Sequence, residues 1–553
     1  MVKFCRYRKN IAKDRKPRQI HTKNGIVEGK PRILCEKGAI DVFLGIPYAK
    51  APTGERRFKK PEPPESWTGV MKCKRYKNRA PQNDYIWDRL DLRVSKSEDC
   101  LYLNVISPGW TPPSEFKNGF PVMFFIHGGG YVIDSAVRYH YSKIAKLLVS
   151  KDLIAVTIQY RLGFLGFFTT GDSTCPGNFG IWDQIMALKW VKENIKCFGG
   201  DPDQITIIGQ SAGAASADLL SLSPYSRDLF KRVVLLSGNA ECPWAVAKSK
   251  RVVSYCRQRA QKLGWKGSDN KEMIKFLRKL PASKLADNLI GNKELFATGL
   301  LPLTPIVDGD LIPCSIKELR KLAPTKPSIV GVTENEGLLF VALNRMPCDQ
   351  NDIEKAIQAV NKYVKESEIN IRQVISDIYF PHANCDENSR QNTQRAFINM
   401  LDDFTCNYGT KWYVDKAVER GETVYMFSLE YCNPACYGFL NLYLPYKKAT
   451  HGVELIYFLE ANIFISRFVR TEMDKRITRF FTHAISDFIK YGSYRNPNIS
   501  NDLTGGNMSM WESTKLEARD QHLRIGQTIE MRKEFKDGRI RKLQNIFSNL
   551  KRK

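Results

Sequence analysis

Three observations predict an α/β fold: a large central, mostly parallel sheet flanked by helices, with helical insertions over the active site. First, short and almost wholly apolar runs recur at Val122–Ile126, Ile154–Gln159, Ile205–Ile208, Val233–Leu236, Ile329–Val332 and Val424–Ser428. Most are rich in β-branched or aromatic residues, as suits strands covered on both faces. Second, helical patterns lie between them, over Phe179–Ile195 and Ile477–Tyr491. Alternation of this kind implies parallel strands, because each crossover returns the chain through a helix. Third, Ile205–Ile208 runs straight into Gly209-Gln210-Ser211-Ala212-Gly213 and then into a helix, a strand–turn–helix hand-over.

The ends of the chain are set apart by charge. Lys plus Arg outnumber Asp plus Glu by 85 to 58 in 553 residues, a formal charge of +27. Residues 1–30 carry ten basic and two acidic side chains, and residues 532–553 carry nine and two. Residues 1–21 therefore read as a basic tail. Residues 22–550 read as a single domain whose end is basic from about 532. Both ends are expected to be solvated and frayed, with a capacity to touch acidic surfaces. No nucleic-acid module accompanies them. At 43% hydrophobic and 26% charged residues, the composition excludes collagen, coiled coil and wholesale disorder. No repeat or Pro/Gly-rich linker divides the chain, and the polar, helical stretch from about 245 to 325 reads as an insertion capping the sheet.

The opening residues hold no apolar signal-like segment. The longest apolar run, Phe120–Ile126, is far short of the ~20 residues that span a bilayer. Fourteen cysteines in such a chain read as free thiols, and the sequons at Asn498 and Asn507 carry little weight without secretion. Cys432-x-x-x-Cys436 lacks a second ligand pair, so no metal site is expected. Trp182 and Trp190 are expected in the core.

Two glycine-rich motifs point to chemistry. In G-x-S-x-G the glycines admit a strained turn that thrusts Ser211 clear of the backbone at a helix start; the plain alternative is a serine that caps its helix. In His127-Gly128-Gly129-Gly130, glycines follow an apolar strand and free backbone N–H groups to face a developing oxyanion. A nucleophilic serine needs a base, and the base an orienting acid. Among the seven histidines, His451, followed by Gly452, lies in a loop, where a base belongs. His382 is also loop-like and spacing does not separate the two; His483 sits in a helical pattern and His522 in a polar tail region. For the acid, Glu336 follows a buried strand, with Glu334 and Asp308 as competitors.

At this point a family resemblance emerges. FLGIPYAKAPTGERRF, SEDCLYLNV, HGGGY, QYRLGFLGF, PGNFGIWDQIMALKWVKENIKCFGGDP, GQSAGAAS, SGNAECPWA, ENEG and THGVEL occur in the order found in type-B carboxylesterases and cholinesterases. From about residue 22 to 550 the chain resembles that family of α/β-hydrolases, on its carboxylesterase side. The resemblance implies Ser211 as nucleophile, Glu336 as acid and His451 as base, with Gly129, Gly130 and the Ala212 N–H as oxyanion hole. Ser237 matches a hydroxyl beside the acid, and Arg57 with Glu98 and Arg161 with Asp183 match structural ion pairs. It implies hydrolysis of small or medium uncharged esters without a cofactor. The alternative within the family is a catalytically inactive interaction protein of the neuroligin kind.

Departures from the family refine these expectations. Gln210 stands where most members have Glu before the serine, as it does in insect juvenile hormone esterases. Leu339 replaces a cholinesterase aromatic, and Trp87 is offset from the choline-binding tryptophan, so weak attraction for choline esters is expected. The family's disulfides are broken: Cys100 faces Ala80 in place of its partner, the second pair reads Trp265 and Phe276, and the partner of Cys406 falls near Leu543. These losses suit a reducing, cytoplasmic setting, with Cys73–Cys100 as an alternative pairing.

Overall fold

The computed structural model describes residues 15–85, 88–89, 92–287, 301–346, 348–364, 370–380, 389–461, 463–464, 469–495 and 511–550. Trp87, His382, Asn498 and Asn507 lie outside the described residues.

Eleven strands build the main sheet. In chain order they are β1 Ile33–Cys35, β2 Gly38–Pro47, β3 Tyr102–Pro108, β4 Phe120–Ile126, β5 Ile154–Ile158, β6 Gly200–Gln210, β7 Arg232–Leu236, β8 Ser328–Thr333, β9 Val424–Leu429, β10 His522–Ile525 and β11 Ile529–Arg532. They lie side by side as β11-β10-β9-β8-β7-β6-β4-β5-β3-β2-β1. Seven neighbours, β5 through β10, pair in parallel. Antiparallel strands close both edges. All six apolar runs are central strands of this sheet, and β4, β5, β7, β8 and β9 are buried along their whole length.

The edge strands carry no such signal, because they are short or partly exposed. β10 corrects the expectation for His522, which is a buried strand residue and no part of a polar tail. The ends also differ from the frayed tails expected. Gln19–Thr22 pairs in a separate small sheet with Gly25–Glu28. At the other end Phe535, Ile540 and Leu543 are buried.

Helix α1, Phe179–Asn194, is buried almost all round. Even the polar Asp183, Gln184 and Asn194 are buried. Asp183 is held there by Arg161, which donates from Nε at 2.7 Å and from Nη2 at 2.6 Å. Arg57 likewise donates to Glu98 at 2.7 Å and to three carbonyls at 277, 278 and 280, which ties the capping segment to the body. That segment contains the helices Ser249–Lys262, Asn270–Lys279 and Ile316–Leu322. Trp182 and Trp190 are buried. Every described cysteine is free. In place of a bridge, the rings of Trp265 and Phe276 pack 5.7 Å apart.

Register carries the site. Ile126 pairs with Gly209, Gln210 with Leu236 and Leu236 with Gly331. The carboxyl ends of β4, β6, β7 and β8 are thus level, and the chain departs from β4 towards β5 on one side and β6 on the other. A crevice at such a switch point is where open α/β sheets bind ligands.

Candidate active site

Each of those level strand ends delivers one piece. After β6, Ser211 sits at φ +56°, a left-handed conformation that costs a non-glycine residue about 1–2 kcal/mol. The turn is possible because its glycines have no Cβ. A Cβ on Gly209 would come within 2.1 Å of the Gly213 carbonyl oxygen, and one on Gly213 within 2.2 Å of the Ile126 oxygen. Helix α2, Ala212–Leu222, begins at once, and Ser211 makes no side-chain cap bond to it. Ser211 is therefore not a helix cap. Its backbone N–H donates to Leu236 O at 2.8 Å, while its hydroxyl has no hydrogen-bond partner among the described residues and lines a cavity.

After β4, Gly129 and Gly130 turn with φ +93° and +58°. A Cβ on Gly129 would meet the Ile133 oxygen at 2.1 Å, so only glycine fits there. Both glycines line the same cavity as Ser211, and Ala212 opens α2 beside them.

After β8, Glu336 is wholly buried. Its Oε1 accepts from the Ser237 hydroxyl and the Thr333 N–H, both at 2.7 Å. Its Oε2 meets Nδ1 of His451 at 2.6 Å. His451 reaches it because the 449–450 segment runs beside Asn335, with the Asn335 N–H donating to Ala449 O at 2.9 Å. The competing acids are engaged elsewhere: Glu334 pairs with Lys448 at 3.0 Å, and Asp308 accepts from Asn178 at 2.8 Å. His483 lies on the helix Glu472–Tyr491.

The charges of the pair sustain each other. Burial alone would push Glu336 up; the His451 hydrogen bond and charge, then Thr333 and Ser237, bring it below the usual carboxylate range. Burial alone would lower His451, and the hydrogen bond and charge of Glu336 raise it above the ordinary histidine value. A buried imidazolium facing a buried carboxylate is the state a proton-accepting base must reach during reaction.

Two features of the site escaped the sequence. Glu454 is buried near the triad, with Gln210 Nε2 donating to its Oε1 at 3.0 Å and standing 3.4 Å from His451 Nε2. Burial and the charge of Glu336 push Glu454 up to about 7. Its position three residues past His451, at the start of helix α3, Val453–Phe458, is the one signal that could have drawn attention to it. Cys406 is the other: its Sγ, Glu336 and His451 bring their ligand atoms within 4.8 Å of one another. Its thiol is pushed up by the neighbouring Cys242 and by burial.

The cavity itself holds about 200 Å³. Its walls are largely apolar, with Trp244, Leu301, Leu339, Phe340, Leu343 and Phe464 among them. The Phe340 ring lies 5.3 Å from that of His451. Asp88 and Asp134 also line the cavity, and both are ion-paired with the one guanidinium of Arg138, at 2.5 and 2.7 Å.

A doubly flanked parallel sheet, a strained serine turn and a buried His–Glu pair at level strand ends define an α/β-hydrolase. Residues 16–542 match the carboxylesterase family model, and the chain belongs to that family. It is 38% identical to esterase cest-33 of Caenorhabditis elegans over 511 residues, covering 92% of this chain and 90% of that protein. It is 33% identical to juvenile hormone esterase of Tribolium castaneum over 439 residues, 76% and 73% of the two chains. It is also 35% identical to human neuroligin-2 over 357 residues, 58% of this chain and 42% of that one.

Proposed function

We propose that the protein hydrolyses carboxylic esters of uncharged, small to medium substrates through Ser211, His451 and Glu336. The observation that carries this reading is the 2.6 Å contact between His451 Nδ1 and Glu336 Oε2, in the cavity that Ser211 lines. The contact leaves Nε2 facing the cavity as the proton acceptor. Ser211 attacks the ester carbonyl as His451 takes its proton, and Glu336 holds the tautomer and offsets the imidazolium charge. Backbone N–H groups of Gly129, Gly130 and Ala212 receive the oxyanion, a role in which one donor is worth ~10²–10³ in rate. His451 returns the proton to the leaving alcohol. Water then attacks the acyl-enzyme along the same path, and no cofactor enters. Hydrogen bonds between nucleophile and base commonly close only when substrate is bound, consistent with the unpartnered Ser211 hydroxyl.

The largely apolar walls support uncharged substrates. Acetylcholine should be turned over more slowly than a neutral ester of equal length, and parity between the two would defeat this part of the proposal. The likeness to neuroligin-2 favours a second reading, an interaction protein without activity. A fluorophosphonate probe separates them: the esterase is labelled covalently on Ser211, whereas an unlabelled, folded protein supports the second reading. The lost cysteine partners support a reducing compartment. Several native bridges found by mass measurement without reductant would overturn that.

A further inference from the structure

The second large cavity, about 1060 Å³, lies behind the loop that carries Glu336. Eight basic and four acidic side chains line it. The basic ones come from four separate stretches of chain, at 395, 447–448, 524 and 532–539. Four of the nine basic residues of the C-terminal end, Arg532, Lys533, Lys536 and Arg539, thereby line one concave surface. Some of these charges are spent: Lys448 on Glu334, Arg524 on Glu430 and Arg539 on Asp403. Arg395, Lys447, Lys533 and Lys536 have no carboxylate within 4.0 Å among the described residues. Lys536 instead donates to two carbonyl oxygens, of Thr333 and Glu334, at 3.0 Å each.

Holding four unpaired cations around one cavity costs mutual repulsion, which a multiply charged anion would relieve. The floor registers this field. Buried His522 is driven down to about 4, first by burial and next by Lys536, with Arg532 and Arg524 adding to it. Of the lining residues only Tyr446 and His522 are aromatic, and the Tyr446 ring lies 5.8 Å from the Arg395 guanidinium. A stacking platform for nucleic-acid bases, which single-strand binders require, is therefore missing from this wall.

We infer that this cavity is a binding site for a compact anion bearing clustered phosphate or sulfate groups, held by Arg395, Lys447, Lys533 and Lys536. The anion lies one lysine away from the acid loop, because Lys536 holds the Thr333 carbonyl and the Thr333 N–H holds Glu336. The site does not depend on the hydrolytic reading, since its test reads binding and not turnover.

The experiment is calorimetric titration of the full chain with sodium tripolyphosphate at about 150 mM salt, where surface charges farther apart than about 8 Å are screened. One-to-one saturable binding is expected. The double reversal Lys447→Glu with Lys533→Glu, at two exposed positions, should weaken it at least about tenfold. No saturable binding by the wild-type chain, or equal binding by the double reversal, overturns the site. A second arm uses phosphatidylcholine vesicles containing phosphatidylinositol bisphosphate. Retention that tripolyphosphate competes away assigns the ligand to a lipid headgroup, and tripolyphosphate binding without retention assigns it to a soluble molecule. Retention indifferent to both competitor and reversal counts against the site.

Discussion

Both cavities are tied to one short segment, residues 333–336, the first through the Glu336–His451 contact and the second through Glu334 and Asn335 in its lining, and they treat charge in opposite ways. Around Ser211 each carboxylate is engaged: Glu336 with His451, and Asp88 and Asp134 with the one Arg138 they share. Around Lys536 several cations have no carboxylate partner. In the first cavity the acids are held in pairs within an apolar pocket. In the second, surplus charge remains available to something arriving from outside. Burial explains the difference, because an unpaired charge deep in an apolar wall costs several kcal/mol while one at a solvated rim costs little.

The largest effect should come from removing the nucleophile. Ser211→Ala is expected to lower kcat by about 10⁶ and to leave tripolyphosphate binding unchanged in calorimetry; loss of both together would mean the two cavities are not separate. Next, Glu336→Gln should cost about 10⁴ in kcat. It should also move the acid limb of the kcat/KM profile. Activity needs neutral His451, so it falls as pH drops through the raised His451 value. Without the Glu336 charge only that of Glu454 opposes burial, and the midpoint should shift to lower pH. A midpoint that stays put would detach Glu336 from the base.

Salt offers a milder contrast. Going from about 0.05 to 0.5 M shortens the screening length by roughly threefold. Tripolyphosphate affinity should fall steeply while turnover of a neutral ester changes little. Equal salt dependence of the two would erase the distinction drawn here. The smallest effect belongs to Glu454→Gln. Its amide oxygen can still accept from Gln210, but one negative charge near His451 is lost, so the acid limb should move to lower pH by less than in Glu336→Gln. An unmoved midpoint would show that Glu454 is already neutral where His451 titrates.

Much of this was legible in the sequence, for reasons that differ along the chain. The central strands declared themselves because burial on both faces forces a continuous apolar run, as in Val233–Leu236. The serine turn was readable because Gly209 and Gly213 are dictated by backbone contacts near 2 Å, a constraint that leaves a fixed residue pattern. Glu336 and His451, 115 positions apart, could be chosen over Glu334 and His382 only by family resemblance, since nothing local marks a residue whose partner is distant. β10 and β11, paired through His522 with Arg532 and Ile525 with Ile529, went unseen because each is only four residues long and mixes apolar with polar side chains, leaving no continuous apolar run. The basic end misled for another reason: net charge says nothing about whether Phe535 and Leu543 among it are buried.

The packed rings of Trp265 and Phe276 carry a consequence for how the cap is held. A covalent bridge restrains the unfolded chain as well as the folded one, whereas two rings act only once the segment has docked. Recovery of the cap after denaturation therefore calls for no oxidant and no reshuffling of bonds. Its docking is indifferent to the thiol chemistry of its surroundings.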